Sequence, residues 1–266
     1  MQKREIELLK FSGARVVRII DGAHAAVDEH AHDWPVLSIF VLGSCDNRSA
    51  VGDHAISSPS AVFYRAGAEH ANRVGRYGYE QIQMELDPRW LRSIDTNRID
   101  PTRHWVGGQV ATAARALASL WNSPDAAETT VAKATEEFLR FALHHRNTKR
   151  PPWLNHVVQS LHSDAVPTTR QLARELGMHA GWLAEAYRGA TGEGLQETVR
   201  RRRVAIAASL LRQSSRSPAD IAAAAGFCDQ SHMIRSLRAL LGRTPTQIRS
   251  EWTALHQASN QRLHVL

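Results

Sequence analysis

The 266-residue chain has only two cysteines, Cys45 and Cys228, far apart in the sequence. That leaves no basis for a disulfide framework, and both read as reduced core or surface residues. No apolar run approaches the ~18 residues that a membrane span needs. The opening Met-Gln-Lys-Arg-Glu leads into no signal-peptide core, so a cytoplasmic protein is expected. Lysine is missing from residues 151–266, where the 14 Lys+Arg are all arginine and face 8 Asp+Glu. Residues 1–150 hold 19 against 18, so the formal charge of +7 falls almost entirely in the second half. Arginine suits bidentate contact with phosphates and guanine edges, yet a basic balance alone fits RNA or an anionic membrane as well. The length sets a prior of two domains, each able to bury a core.

The first third alternates as strands do. Val16–Ile20, Val36–Leu42 closed by Gly43, and Ala61–Tyr64 are short β-rich runs, and Tyr79–Leu86 sets Ile82, Met84 and Leu86 against Gln81, Gln83 and Glu85. Turn residues at Asp21-Gly22, Gly52-Asp53 and Ser58-Pro59 separate them, which predicts a β-sandwich or a barrel able to hold a small ligand. Residues two apart on a strand share a face, so His30 and His32 can point into one cavity and His70 can meet them from a neighbouring strand. His30-Ala31-His32 and the later Gly67-Ala68-Glu69-His70 resemble the two cupin motifs, in which such histidines converge on a metal. The glutamate that cupins carry after the first motif is missing, and Arg65 stands where the second has proline. Three imidazoles suit zinc, nickel, iron or copper. The alternative is a set of structural or ligand-contact histidines.

From Pro101 the pattern turns helical. Val106–Trp121 and Ala126–His145 carry apolar residues at spacings of three and four, a helical hairpin whose stripes suit packing on the barrel or homodimerisation. The basic, proline-closed run from His144 to Pro152 reads as a linker.

In the last hundred residues one pattern is written twice. Ala173, Gly177, Leu183, Tyr187, Arg188 and Gly192 recur as Ala222, Gly226, Met233, Leu237, Arg238 and Gly242, at offsets of 49, 49, 50, 50, 50 and 50. Two copies of one supersecondary unit leave such a record. Each copy reads as helix, glycine turn and second helix, the arrangement that places a helix in the DNA major groove. Between them Leu195–Arg212 forms one long helix, in which Arg200–Arg203 fill a whole turn and cannot share a face.

Gln171–Arg249 resembles the DNA-binding domain of AraC/XylS transcription regulators. The resemblance rests on Leu172-Ala173, Gly177, Gly192, Arg203, Ala207, Leu210-Leu211, Asp220-Ile221-Ala222, Gly226-Phe227, Asp229-Gln230-Ser231, Gly242 and Thr244-Pro245. Thr198 departs from the family's usual aromatic, and Met233 and Leu237 from its phenylalanines. The resemblance implies an α+β chain: an N-terminal cupin-like β-barrel with a helical hairpin, then an all-α domain of two helix-turn-helix subdomains joined by a long helix. The expected divisions are 1–99, 100–146, a linker at 147–152, and 153–266. It also implies a regulator, not an enzyme, that binds double-stranded DNA under control of a small molecule or metal in the barrel, with RNA polymerase as a candidate partner. Gly181, Trp182, Ala184 and Glu185 would face DNA from the first copy, and Gln230, Ser231, His232 and Arg235 from the second. Arg188, Arg238 and Arg243 would contact phosphate. A cupin enzyme with a DNA-binding tail, and a constitutive binder whose barrel only dimerises, are the alternatives.

Overall fold

Two long antiparallel strands organise the N-terminal half. They are β4 (Val36–Ser49) and β7 (His70–Leu86), which pair along almost their whole length. Around them lie β1 (Glu5–Phe11), β2 (Ala14–Asp21), β3 (Ala26–His30), β5 (Gly52–Ser57), β6 (Ser60–Tyr64) and β8 (Thr102–Val106). They form one eight-stranded sheet in the order β1-β2-β7-β4-β6-β8, with β3 on β7 and β5 on β4. The computed structural model describes residues 5–11, 13–91, 94, 100–106, 108–144, 151–161 and 166–263. The chain divides into two units, Met1–Asn147 and Thr148–Leu266. Of the expected linker, residues 147–150 lie outside the described residues.

Gly43 was expected to end a strand. Instead β4 runs on to Ser49, because Gly43 and Gly78 cross closely with φ of +75° and +71°. A Cβ on Gly43 would stand 2.0 Å from the Gly78 carbonyl oxygen, so only glycine lets the paired strands bend there without parting. The bulges between Phe40 and Leu42 and between Gly43 and Cys45 sit at the same bend. The sheet therefore rolls. The ring of His32, just past β3, lies 5.4 Å from that of His70 at the start of β7, and His32 Nδ1 lies 3.8 Å from Glu85 Oε1 near its end.

The two sheet faces bury different cores. Val17, Ile19, Val36, Phe40, Cys45, Val62, Tyr64, Val74 and Tyr79 cluster on the inside of the roll. Val16, Leu37, Ile39, Phe63, Ile82, Met84 and Leu86 face outward, against α1 (Gly108–Trp121) and α2 (Glu128–His144). Two indoles fasten this layer: Trp105 Nε1–H donates to the Ala142 carbonyl at 3.0 Å, and Trp121 Nε1–H to Thr135 Oγ1 at 3.2 Å. Two expectations change here. Residues 102–106 are a strand paired with β6, so the sheet extends past residue 99 and helix α1 begins only at Gly108. Trp105 and His104 alternate between the faces, which a helical reading of Val106 overlooks. Of the two uses open to the hairpin stripes, packing on the sheet is the one seen here.

The C-terminal unit is helical. Its elements are α3 (Pro152–Leu161), α4 (Thr169–Glu175), α5 (Ala180–Thr191), α6 (Leu195–Gln213), α7 (Pro218–Ala224), α8 (Gln230–Leu241) and α9 (Pro245–Leu263). Leu154, Val157 and Leu161 of α3 pack on Leu172, Leu183, Tyr187 and Val199 of the first helix-turn-helix subdomain. Helix α6 is buried on most of its circumference, with Leu195, Val199, Val204, Ile206, Ala207 and Leu211 inside. An amphipathic surface helix shows one apolar stripe; a helix gripped from two sides needs more.

Candidate nucleic-acid interface and histidine cluster

Local chemistry sets each of the paired helices. Thr168 and Gln171 form a capping box at the start of α4, and Ser217 caps α7 with Pro218 in its first turn. Helix α5 is capped by His179, whose Nδ1 accepts from Gly181 N at 3.2 Å, and α8 by Asp229, which accepts from His232 N at 2.7 Å. Both end on a left-handed glycine, Gly192 at φ +71° and Gly242 at φ +65°. The shared skeleton is buried: Leu172, Ala173, Leu183 and Tyr187 in the first copy, and Ile221, Ala222, Met233 and Leu237 in the second.

The outward faces differ. On α5, Gly181, Trp182, Glu185 and Arg188 are exposed and Ala184 is half-buried. Trp182 is 51% exposed, edge-on to Trp153 with ring centroids 6.2 Å apart. On α8, Gln230, Ser231, Arg235 and Arg238 are exposed, while His232 is half-buried with its ring edge-on to Phe227 at 5.2 Å. Arg243 departs from expectation. It is 7% exposed, and its guanidinium donates to Glu251 Oε2 at 2.9 Å and to the Leu241 carbonyl at 3.3 Å. These bonds tie the turn after α8 to α9, and a phosphate would have to displace them.

Of the four consecutive arginines, Arg201 points inward. Its guanidinium bonds Glu193 and lies 3.6 Å from Glu197 Oε1. Tyr187 Oη donates to Thr198 Oγ1 at 3.2 Å, and Thr198 Oγ1 donates to Glu193 Oε2 at 3.1 Å. The threonine in place of an aromatic thus belongs to a buried polar network that locks α5 to α6.

In the N-terminal unit, ladder register and the roll bring His30, His32 and His70 together. His30 and His70 are cross-strand partners, and one ligand nitrogen from each ring lies within 4.8 Å of the others. His70 is 2% exposed, and the Tyr64 ring stacks on it at 3.8 Å. Burial pushes the phenol of Tyr64 far up, so it stays protonated. Asn47 Nδ2 donates to Tyr64 Oη at 3.1 Å and to Asn72 Oδ1 at 2.8 Å, and its Oδ1 accepts from His104 Nε2 at 3.0 Å.

Sequence reasoning missed this polar interior. Gln81, Gln83 and Glu85 look like the wet face of a half-buried strand, but Gln81 and Gln83 are 4% and 3% exposed because the sheet rolls over them. The available signal was their chemistry: two neutral amides where a solvated face more often carries charge. Gln81 Oε1 and Gln83 Nε2 have no hydrogen-bond partner among the described residues.

His104 yields a pH prediction. Burial, then the neighbouring His54 ring stacked at 4.1 Å, lowers its pKa from 6.5 to about 3. Below pH 6.5 the unfolded chain binds a proton that the folded chain refuses, so this contribution is complete above that pH and is lost as the pH falls toward 3. The expected slope is about 1.4 kcal/mol of unfolding free energy per pH unit. Urea unfolding of the full chain, followed through the N-terminal unit, from about pH 6 to about pH 4 measures it, and His104→Gln is expected to flatten the slope by about that amount.

The model for a helix-turn-helix domain matches residues 172–251. That stretch covers both subdomains and the helix between them. It is a helix-turn-helix domain. No curated relative matches the chain. Among solved structures, ToxT from Vibrio cholerae is similar at 10% identity over 90% of this chain and 99% of that one, with a TM-score of 0.40. A cupin superfamily protein from Desulfitobacterium hafniense is similar at 13% identity over 32% and 77%, with a TM-score of 0.30. The helix-turn-helix match supports DNA binding by the C-terminal unit. No described helix is long and apolar enough to cross a membrane.

Proposed function

We propose that the protein is a sequence-specific transcription regulator whose N-terminal unit receives a small-molecule or metal effector. The observation that carries the reading is the doubled helix-turn-helix, with unequal outward faces on α5 and α8. Helix α6, with 19 residues, is about 28 Å long. A spacer of this length suits two recognition helices entering successive major grooves, ~34 Å apart. Gln230 reads adenine and Arg235 reads guanine, with Ser231 and His232 beside them. Helix α5 offers few donors. Trp182 and Ala184 present apolar surface to thymine methyls, Gly181 permits close approach, and Glu185 accepts from cytosine. Arg188 and Arg238 position the domain on phosphates. A second copy of the chain and RNA polymerase are the protein partners this reading calls for.

The test is selection of duplexes by the full chain from a random pool at low salt. The expected site has two half-sites one helical turn apart, the one under α8 sharply defined and the one under α5 degenerate. A pool that shows no enrichment overturns the reading.

A further inference from the structure

We infer that helix α5 reads 5-methylcytosine: the Glu185 carboxylate accepts from the cytosine N4–H, and the Trp182 indole covers the methyl on the neighbouring ring carbon. This rests on the reading of the C-terminal unit as a major-groove binder. It places on one base the apolar contact of Trp182 and the acceptor of Glu185.

The two copies of the helix-turn-helix supply the comparison. At a constant offset of 50, Glu185 of α5 stands where α8 has Arg235, and Trp182 stands where α8 has His232. Glu185 and Arg235 are both exposed. A guanidinium presents only donors and a carboxylate only acceptors, so the same position suits guanine in the second copy and cytosine in the first. Among the described residues the Glu185 side chain has neither a hydrogen bond nor an ion pair. A carboxylate brought against DNA phosphates is repelled, and a base donor in the groove offsets that cost.

The second difference is apolar. His232 turns back onto Phe227, with ring centroids 5.2 Å apart, and is half-buried. Trp182 stays 51% exposed, with Trp153 of α3 edge-on to it at 6.2 Å. Trp153 is itself packed on the core of the first subdomain, so the exposed indole stands on a fixed base. The apolar group that a major groove offers such a ring is a methyl at pyrimidine C5.

Residues three apart on a helix share a face, with Cβ atoms about 5–6 Å apart, so Trp182 and Glu185 can meet the edge of one base pair. Thymine has the methyl, but its O4 is an acceptor and repels the carboxylate. Unmodified cytosine has the donor and no methyl. In 5-methylcytosine the N4–H and the methyl sit on adjacent ring carbons and satisfy both side chains at once. Gly181 and Ala184 beside them are small enough to let the helix approach. A helix built for a modified base finds a weaker partner in unmodified DNA, which accounts for the degenerate half-site expected under α5.

The experiment is duplex selection by the full chain from two random pools of one design, the first made with cytosine and the second with 5-methylcytosine. Arg235→Ala, which relaxes the half-site under α8, identifies the other as that of α5. In the methylated pool the α5 half-site is expected to sharpen onto a 5-methylcytosine. Replacing that base alone by cytosine is expected to weaken binding about fourfold, as loss of one buried methyl does. Replacing it by thymine is expected to weaken binding about tenfold or more. Trp182→Ala is expected to erase the difference between cytosine and 5-methylcytosine and to keep the discrimination against thymine. Glu185→Gln, whose amide can donate to O4, is expected to bring thymine close to 5-methylcytosine. Both variants change exposed side chains, and unaltered reading of the α8 half-site shows that each is folded. An α5 half-site that is the same in both pools, or a methyl preference that survives Trp182→Ala, overturns the inference and leaves the regulator standing. No enrichment from either pool overturns both.

Discussion

Arg201→Ala is expected to destabilise the C-terminal unit by about 3–5 kcal/mol, the cost of stranding a buried charge by removing its partner. Both side chains of the Arg201–Glu193 pair are buried, and Glu193 also accepts from Thr198. Alanine would leave the Glu193 carboxylate in the core without its guanidinium. Arg200, one residue away, pairs with Glu197 at 2.6 Å and is placed to lose much less, on the order of 0.5 kcal/mol, as half-exposed helix pairs do. Removing both charges together, as Glu193→Gln with Arg201→Met, is expected to recover most of the loss, because a buried pair gains little over neutral groups of similar volume. Denaturant unfolding of the three variants checks this. An Arg201→Ala loss no larger than that of Arg200→Ala would show that the inward pair is not holding α5 to α6.

The second large effect is on DNA. Raising salt from about 50 to about 200 mM is expected to weaken specific binding by about 10³–10⁵-fold if 6–10 phosphates are contacted. Arg188→Ala and Arg238→Ala should each lower the slope of log affinity against log salt by about one and weaken all sequences alike. Arg235→Ala should cost about 1–3 kcal/mol at one base pair of the selected site and relax the preference there. Arg243→Ala separates the burial seen here from the expected phosphate role. Its loss should appear as instability of the α8–α9 turn, with the salt slope unchanged. Filter binding across a salt series, with the cognate duplex and a single mismatch, reads all four variants.

Much of the C-terminal domain is legible without coordinates because its rules are local. Caps, left-handed glycines and a three-four apolar spacing lie within a few residues of one another, and the doubled pattern says that the two copies fold alike. Facing is harder. At ~100° per residue a turn of four arginines must send one inward, and which one depends on where Glu193 comes to rest. The exposed positions of α5 and α8 were legible for the same reason that Arg243 was not. A helix with a known apolar stripe has a known opposite face, whereas a residue just past a helix end takes its direction from the next element, here Glu251 of α9.

By itself the sequence determined the doubled helix-turn-helix pattern, the long joining helix, the difference between the outward faces of α5 and α8, and a β-rich first third. Tertiary structure alone decided the rest. Period two shows that Gln81, Gln83 and Glu85 share a face, but whether that face is wet depends on the crossing of Gly43 and Gly78 that rolls the sheet over it. The same roll brings Glu85 behind His32 and Tyr64 onto His70, and it gives the hairpin stripes of α1 and α2 an outer sheet face to cover. The physical reason is range: helix turns and caps are closed by neighbours in sequence, while a sheet's inside and outside are set by pairings dozens of residues apart.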